Sequence, residues 1–250
     1  MPPLPSAPIV ANFPSTHLVF AAGIAIFHIS TSRVVICRHP AEGHYFLPKG
    51  RKNGSEHLTT AAIREGFEES GYRCRLVGVP VGHRQPQELS VERSGGAGVA
   101  RKDDRLRFVV EPLWTQMVPV SARTQYILLW FVGETLDWRE EERCNAVAAE
   151  REGCKGEETR SFVEPREWDE RVMVKERKGW DVDEQGRVRE PVCHPGTGVD
   201  SDEMLYEKYL VPIEEAVEKL KGSVMADVVR QGWELIAKRD VMEEEGYWNV

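Results

Sequence analysis

The sequence predicts an α/β fold, and three observations support this class. A segment between two groups of apolar runs, residues 56–70, has helical spacing that places Ile63 and Phe67 on one face, suited to packing on a sheet. Two more helices are expected near the end, at Pro212–Lys221 and Val224–Arg239, the first opening on a proline suited to a first helical turn. The apolar runs are rich in β-branched and aromatic residues and predict strands at residues 17–29, 33–38, 74–81, 108–120 and 125–134.

The beginning of the chain combines a proline-rich stretch with a predicted hairpin. Residues 1–14 have five prolines and little amphipathic pattern, which predicts an extended tail. The apolar run from Leu18 to Ile29 has no Lys or Arg before Arg33 and is too short to span a membrane, so we interpret it as a strand and not as a signal-peptide core. The polar residues 30–32 then form the turn of the hairpin.

The chain of 250 residues suits one domain, because no Pro/Gly/Ser-rich linker separates two complete patterns. We expect this domain to span residues 15–240, with a polar loop at 84–107 and a C-terminal tail at 241–250. Acidic clusters and several Gly and Pro residues at 137–203 indicate a charged insertion, partly disordered or built of short elements, with a strand-like piece at Arg171–Lys175.

Charge and cysteine usage exclude some classes of function. The net charge is −8, which argues against nonspecific nucleic-acid binding, since that needs a basic footprint. The five cysteines are odd in number and widely spaced, with no CxxC pair that would indicate zinc or a redox centre. They are expected to be free thiols of a reducing compartment, which favours a cytoplasmic or nuclear protein without a membrane segment.

Residues 50–72 contain a cluster of carboxylates on which the expected chemistry depends. Glu65, Glu68 and Glu69 are spaced i, i+3 and i+4, so they lie on one face of the predicted helix. Like charges at this spacing cost roughly 0.2–0.5 kcal/mol per pair in an isolated helix, so a cation is expected to neutralise them. Ligands that are all oxygens indicate a hard divalent ion, Mg²⁺ or Mn²⁺, and not zinc.

The spacing in this stretch resembles the signature box of the Nudix hydrolase family. With each residue type at roughly one in fifteen, seven fixed positions coincide by chance about once in 10⁸ windows, so the match is specific. The resemblance covers roughly residues 15–135 and 204–240 and leaves out the charged insertion. The matching positions are Gly50, Glu56, Arg64, Glu65, Glu68, Glu69 and Gly71, followed by bulky Tyr72.

The resemblance implies an α/β/α sandwich with a mixed β-sheet and a Mg²⁺-dependent enzyme that cleaves a diphosphate. Carried over by position, Glu65, Glu68 and Glu69 would be metal ligands, with the Gly50 carbonyl as a further one. Glu56 and Arg64 would support them, Arg64 by orienting the carboxylates. Water attack on phosphorus needs charge neutralisation and a positioned water, which bound divalent ions supply.

The general base for this reaction stays open at the level of sequence. Glu65 or Glu69 could accept the proton of the attacking water. In the family the base can also come from a later loop, where Glu111, Glu134 and Asp137 are candidates that the sequence does not rank.

Two features bear on the substrate. Gly66 stands where the family usually has an aliphatic residue, and the run Arg64–Glu69 resembles a variant of fungal members that act on diphosphoinositol and diadenosine polyphosphates. A cationic rim close to the box suits a polyphosphorylated small molecule. Its proposed substrate-binding members are Arg38, Lys49, Arg51 and Lys52, with His39 beside Arg38.

Two alternatives remain to this function. One is hydrolysis of another nucleoside diphosphate derivative, such as ADP-ribose, NADH or an RNA cap, which would need a base-stacking site. Trp114 and Trp130 are candidates for stacking, although large aromatic residues in strands are more often core. The other alternative is a binding module that kept the fold and lost catalysis, against which the intact Glu65, Glu68 and Glu69 argue.

Overall fold

A computed structural model describes residues 5–85, 108–152 and 161–247, so most of the predicted polar loop, from residue 86 to 107, lies outside the described residues. Residues 5–14 contain no helix or strand. The strands are β1 (Leu18–His28), β2 (Arg33–Arg38), β3 (Tyr45–Phe46), β4 (Lys49–Arg51), β5 (Cys74–Leu76), β6 (Trp114–Ser121), β7 (Thr124–Thr135) and β8 (Glu207–Pro212). The α-helices are α1 (Leu58–Ser70), α2 (Trp138–Glu152), α3 (Val174–Trp180), α4 (Ile213–Lys219) and α5 (Val224–Glu244).

Within these ranges, eight strands form one mixed sheet whose main path is β3-β2-β1-β7-β5. Only the central pair, β1 and β7, is parallel among the pairings of named strands in the described residues. The N-terminal half of β1, at Ala21–Gly23, pairs with β4, and its C-terminal end, at Phe27 and His28, pairs with β2. Strand β4 therefore brings the chain beside the middle of the sheet just before α1 begins.

Helices cover both faces of the sheet, which confirms the predicted α/β/α sandwich. Side chains alternate along β1 as in any strand, so neighbouring residues enter different cores. Ile24 belongs to a buried cluster with Ile63 of α1 on one face. Phe27 belongs to a cluster with Val228 and Val229 of α5 on the other face. We call these two sides the α1 face and the α5 face.

Helix α1 ends as the sequence predicts, and its glycine has a packing cause. Gly71 adopts a left-handed conformation with φ of 72°, and its N–H donates to the Phe67 carbonyl at 2.8 Å. At Gly66 an added Cβ would lie 2.9 Å from Sγ of Cys74 and 3.0 Å from Cγ2 of Ile24. The helix thus approaches β1 and β5 more closely than an aliphatic residue at this position would allow.

Gly66→Ala is expected to destabilise the fold by about 1–3 kcal/mol, because the new methyl group overpacks the contact with Ile24 and Cys74. Urea denaturation of purified protein measures this change. Gly179→Ala in α3 is the matched control, since a Cβ added there would have no neighbouring atom within 4 Å and alanine favours a helix. Equal stability of the Gly66→Ala protein and the native protein would contradict the packing explanation.

In its described residues the charged insertion contains helices α2 and α3. Helix α2 has 15 residues, and its buried face carries the small residues Cys144 and Ala148, which give little hydrophobic signal. The strand-like piece predicted at Arg171–Lys175 is wrong, because α3 begins at Val174. Arg177 of α3 is buried and pairs with Glu134 of β7 at 2.8 Å. This buried ion pair connects the insertion to the sheet.

Some predicted boundaries were also wrong. Strand β5 ends at Leu76, where the run to Val81 predicted a longer strand, and β6 begins at Trp114 instead of Phe108. Helix α5 continues to Glu244 with Met242 and Glu243 buried, so the predicted tail at 241–250 begins too early. Among the described helices, none is long and apolar enough to cross a membrane.

Candidate functional site

The carboxylates of α1 meet the strand that precedes the helix. Gly50 of β4 pairs with Ala22 of β1, and this register places β4 beside α1. The Lys49 N–H donates to Oε2 of Glu69 at 2.7 Å. A Cβ on residue 50 would overlap the Glu65 carboxylate, so glycine is required for the helix and strand to lie this close.

Arg64 connects the remaining carboxylates of the stretch. Its Nε donates to Oε1 of Glu56 at 2.8 Å, and its Nη1 contacts Glu65 at 2.8 Å and Glu68 at 2.6 Å. Its Nη2 donates to the Arg51 carbonyl at 2.9 Å. This one guanidinium therefore fixes the loop before α1 to the acidic face of the helix, which agrees with the orienting role expected for Arg64.

Glu203 is the acidic residue at the site that the sequence analysis missed. Ligand atoms of Glu65, Glu69 and Glu203 lie within 4.8 Å of one another. Glu203 begins a 3₁₀ turn, Glu203–Leu205, just before β8, and its carboxylate accepts a hydrogen bond from the Val199 N–H at 2.8 Å. It lies at the end of the charged insertion, where no local pattern distinguishes it from neighbouring acids. The carboxylate of Glu68, predicted as a ligand, pairs with Arg64 at 2.6 Å, as the carboxylate of Glu65 does at 2.8 Å.

Burial and mutual repulsion change the acidity of these groups. Burial is the main cause that raises the pKa of Glu69 to about 8, and Glu65 and Glu203 add to it, while Lys49 opposes it. Burial likewise raises the pKa of Glu65 to about 7 against the opposing charge of Arg64. The pKa of Glu68 is also raised, chiefly by burial. Three adjacent carboxylates with raised pKa values form a site where additional positive charge would be stabilising.

A divalent ion fits this donor set. The donors are oxygens, and the two most buried carboxylates are Glu65 and Glu69, with 6% and 5% exposed. Arg64 pairs with Glu65, whereas the hydrogen-bond donor to Glu69 is the backbone N–H of Lys49. Glu65, Glu69 and Glu203 are therefore the residues that would hold a Mg²⁺ or Mn²⁺ ion, with Glu68 close beside them on the helix.

Gly50→Ala is expected to reduce Mn²⁺ affinity by roughly tenfold or more, because the new methyl group displaces the Glu65 carboxylate. Electron paramagnetic resonance of free Mn²⁺ measures this loss directly. Gly54→Ala is the control, since no atom lies near a Cβ at that position. Unchanged Mn²⁺ affinity in the Gly50→Ala protein would show that close approach of β4 is not needed for the site.

The structure places the predicted cationic rim only partly beside the carboxylates. Lys49 lies beside Glu69, and Arg51 follows in β4 with its side chain exposed. Lys52 is half-buried, and its Nζ donates to the Asn53 carbonyl at 2.9 Å. Arg38 does not belong to this group, because it shares the α5 face with Ile36 and pairs with Glu207 at 2.8 Å.

Two of the three predicted later-loop bases have structural roles. Glu134 is fully buried and pairs with Arg75 at 2.6 Å as well as with Arg177. Asp137 accepts hydrogen bonds from the N–H groups of Arg139 and Glu140 at the start of α2. Neither carboxylate is free to accept a proton from a water at α1. Glu111 is half-buried in a segment before β6.

Trp130 and the cysteines behave as expected for structural residues. Trp130 is 1% exposed and its indole N–H donates to Gln116 at 2.7 Å, so it belongs to the core. Trp114 is half-buried and packs against the same core. The four cysteines in the described residues are free thiols, and Cys154 lies outside them.

Comparison with known proteins gives similar solved structures at low identity. No family model and no curated protein matches the sequence. A NUDIX-family hydrolase from Clostridium perfringens is 13% identical, with 90% of this chain and 99% of that chain covered and a TM-score of 0.40. A C. elegans Ap4A hydrolase in a binary complex is 12% identical, with 88% and 98% covered and a TM-score of 0.42.

A NUDIX hydrolase from Nitrosomonas europaea is 12% identical, with 92% of each chain covered and a TM-score of 0.36. At these identities and TM-scores the likeness assigns no activity to this chain.

Proposed function

We propose that this protein is a Mg²⁺-dependent hydrolase of Nudix type that cleaves a phosphoanhydride bond. The observation that carries the proposal is the convergence of Glu65, Glu69 and Glu203 at a glycine that leaves no room for a side chain. A solvated acidic helix face would not bury two carboxylates and surround them with fixed donors. The sequence spacing from Gly50 to Tyr72 supports the same assignment.

In this proposal each residue of the chain has a physical task. Bound Mg²⁺ would neutralise charge at the phosphoryl oxygens and lower the pKa of the attacking water. Glu65, Glu69 and Glu203 would hold the cation, and Arg64 fixes the rotamers of Glu65 and Glu68. Glu56 anchors the loop by accepting a hydrogen bond from the Asn53 N–H at 2.7 Å. Glu68 lies next to the cation-holding group, where its carboxylate pairs with Arg64 at 2.6 Å.

The substrates we propose are diphosphoinositol polyphosphates or diadenosine polyphosphates. The support is the Gly66 variant of the box, together with Lys49 beside Glu69. Arg38 does not contribute, because Glu207 neutralises it on the α5 face. ADP-ribose, NADH and capped RNA are the alternative candidate substrates.

The test is a product assay with purified protein and equal concentrations of these five substrate classes, with Mg²⁺ and after its removal by chelation. The proposal expects phosphoanhydride cleavage that stops on chelation and returns with Mg²⁺ or Mn²⁺, with the first two classes cleaved fastest. Faster cleavage of ADP-ribose, NADH or capped RNA would move the assignment to that class. No cleavage of any of them by protein that binds Mn²⁺ would indicate a binding module.

A further inference from the structure

Four rings form a closed aromatic circuit near the carboxylates. The ring centroids of His39 and His44 lie 5.9 Å apart and the rings are nearly parallel, with 10° between their planes. His44 lies 5.6 Å from Phe46, and Phe46 lies 4.9 Å from Tyr206 in an edge-to-face contact. Tyr206 closes the circuit at 5.6 Å from His39. We call these four residues the aromatic platform.

Strand register places the platform on the same side of the sheet as the carboxylates. Phe46 of β3 lies opposite Cys37 of β2, whose thiol contacts the Glu69 carbonyl of α1 at 3.7 Å. Lys208 of β8 lies opposite Cys37 on its other edge. Because side chains alternate along a strand, His39 and His44 follow Cys37 and Phe46 onto the α1 face, and Tyr206 lies two residues before Lys208. Three chain segments thus contribute to one surface.

The platform adjoins the cluster of Glu65, Glu69 and Glu203. The Lys49 ammonium lies 5.4 Å from the centre of the Phe46 ring, while the N–H of the same residue binds Glu69. The Tyr206 N–H donates to the Glu203 carbonyl at 3.1 Å. Burial and then the charges of Glu69 and Glu203 raise the pKa of Tyr206 to about 12. The phenol therefore lies within electrostatic range of both carboxylates.

The platform is partly open to solvent, unlike an ordinary core cluster. Phe46 is 3% exposed and forms its base, whereas the His44 side chain is 53% exposed. His39 and Tyr206 are half-buried. The loop that carries the histidines is fixed, because the His39 N–H donates to the His44 carbonyl at 3.1 Å and the Gly43 N–H to the His39 carbonyl at 2.8 Å. The backbone that carries the two histidines is thus held in place before any ligand arrives.

We propose that the aromatic platform binds the nucleobase of a nucleotide substrate whose phosphates lie at the adjacent carboxylate cluster. Aromatic faces beside a site for phosphates match a molecule that joins a flat heterocycle to a phosphate chain. An inositol ring offers no π-face to these residues. The inference rests on the proposed function and favours diadenosine polyphosphates over diphosphoinositol polyphosphates within it.

The binding test compares AMP with ribose 5-phosphate, which differ only in the base, by calorimetry on the full chain with saturating Mg²⁺. We expect the native protein to bind AMP roughly tenfold more tightly or more. Tyr206→Leu and His44→Ala should each weaken AMP binding roughly fivefold or more and leave ribose 5-phosphate binding unchanged. Because His44 is exposed, its replacement should not affect folding.

Tyr209→Leu is the matched control, since Tyr209 is an exposed tyrosine of β8, three residues after Tyr206, whose side chain lies on the α5 face. We expect it to bind AMP as the native protein does. Equal affinity of the native protein for AMP and ribose 5-phosphate would overturn the proposal, as would undetectable AMP binding. An equal loss of AMP affinity in Tyr209→Leu and Tyr206→Leu would overturn it as well.

Kinetics separate this inference from the proposed function. In Tyr206→Leu, KM for diadenosine tetraphosphate should rise roughly fivefold or more with kcat nearly unchanged, because the base contact is remote from the reacting phosphorus. An AMP preference without hydrolysis of any phosphoanhydride would leave the platform supported and the proposed hydrolase activity refuted. Mg²⁺-dependent hydrolysis without an AMP preference would refute the platform alone.

Discussion

Glu69→Gln is expected to lower Mg²⁺-dependent turnover by about a hundredfold or more without unfolding the protein. The amide keeps the shape of the side chain and can still accept a hydrogen bond from the Lys49 N–H, but it has no charge to hold a divalent ion. A loss of several kcal/mol of charge stabilisation in the transition state corresponds to this change in rate. The steady-state rate of product formation at saturating substrate measures turnover, and circular dichroism checks that the variant is folded.

Glu218→Gln is the control for this prediction, because Glu218 is an exposed glutamate of α4 that pairs only with Lys221 among the described residues. Its turnover should equal that of the native protein. Glu65→Gln and Glu68→Gln are expected to follow Glu69→Gln in direction. Native turnover in both Glu65→Gln and Glu69→Gln would refute the metal-dependent mechanism.

Helix α1 could be predicted because its signals are local. The i, i+3, i+4 spacing, Ile63 on the opposite face and Gly71 at the end all depend on the geometry of one helix. The role of Arg64 was implied by the resemblance alone, and helix geometry accounts for it, since a residue four positions before Glu68 reaches it on the helix surface. The packing partner of Phe67 could not be predicted in this way. Its ring lies 5.6 Å from that of His194 in the insertion, and this contact joins distant parts of the chain.

The charged insertion could not be interpreted from composition because its charges are buried in pairs. Arg73 is 2% exposed and contacts Glu141 of α2 at 2.5 Å, and His194 contacts the same carboxylate at 2.6 Å. A hydrophobicity pattern counts such residues as solvent-exposed, although here they form the interior. Helix α2 was missed for this reason.

Side-chain direction explains the remaining differences at the site. Arg38 is close in sequence to Gly50, but it shares the α5 face, whereas its neighbour His39 projects to the α1 face with the carboxylates. The two residues are adjacent in sequence, but successive side chains along a strand point to opposite faces of the sheet, so they lie on different sides. Glu203 lies far along the chain and reaches Glu65 only because β8 pairs with β2. No spacing rule within the box could identify it.

The stability of the metal-free protein is expected to fall as pH rises from about 5 to 8, and Mg²⁺ should reverse this fall. Glu65 and Glu69 have native pKa values raised to about 7 and about 8, so the native state holds protons that the unfolded chain has already released. Stability then decreases with pH across this window, by on the order of a few kcal/mol. Glu56 acts outside the window, because hydrogen bonds from Arg64 and Asn53 outweigh burial and lower its pKa.

Thermal unfolding with chelator or with excess Mg²⁺, at pH 5 and pH 8, measures both effects. Mg²⁺ should raise Tm strongly at pH 8, where the cation replaces protons on ionised carboxylates, and weakly at pH 5, where protons compete with it. K⁺ at matched ionic strength serves as the control for screening. Glu69→Gln should reduce both the pH dependence and the Mg²⁺ effect, since one titrating ligand is gone. An equal Mg²⁺ effect at the two pH values would show that these carboxylates are not the groups whose protons the metal displaces.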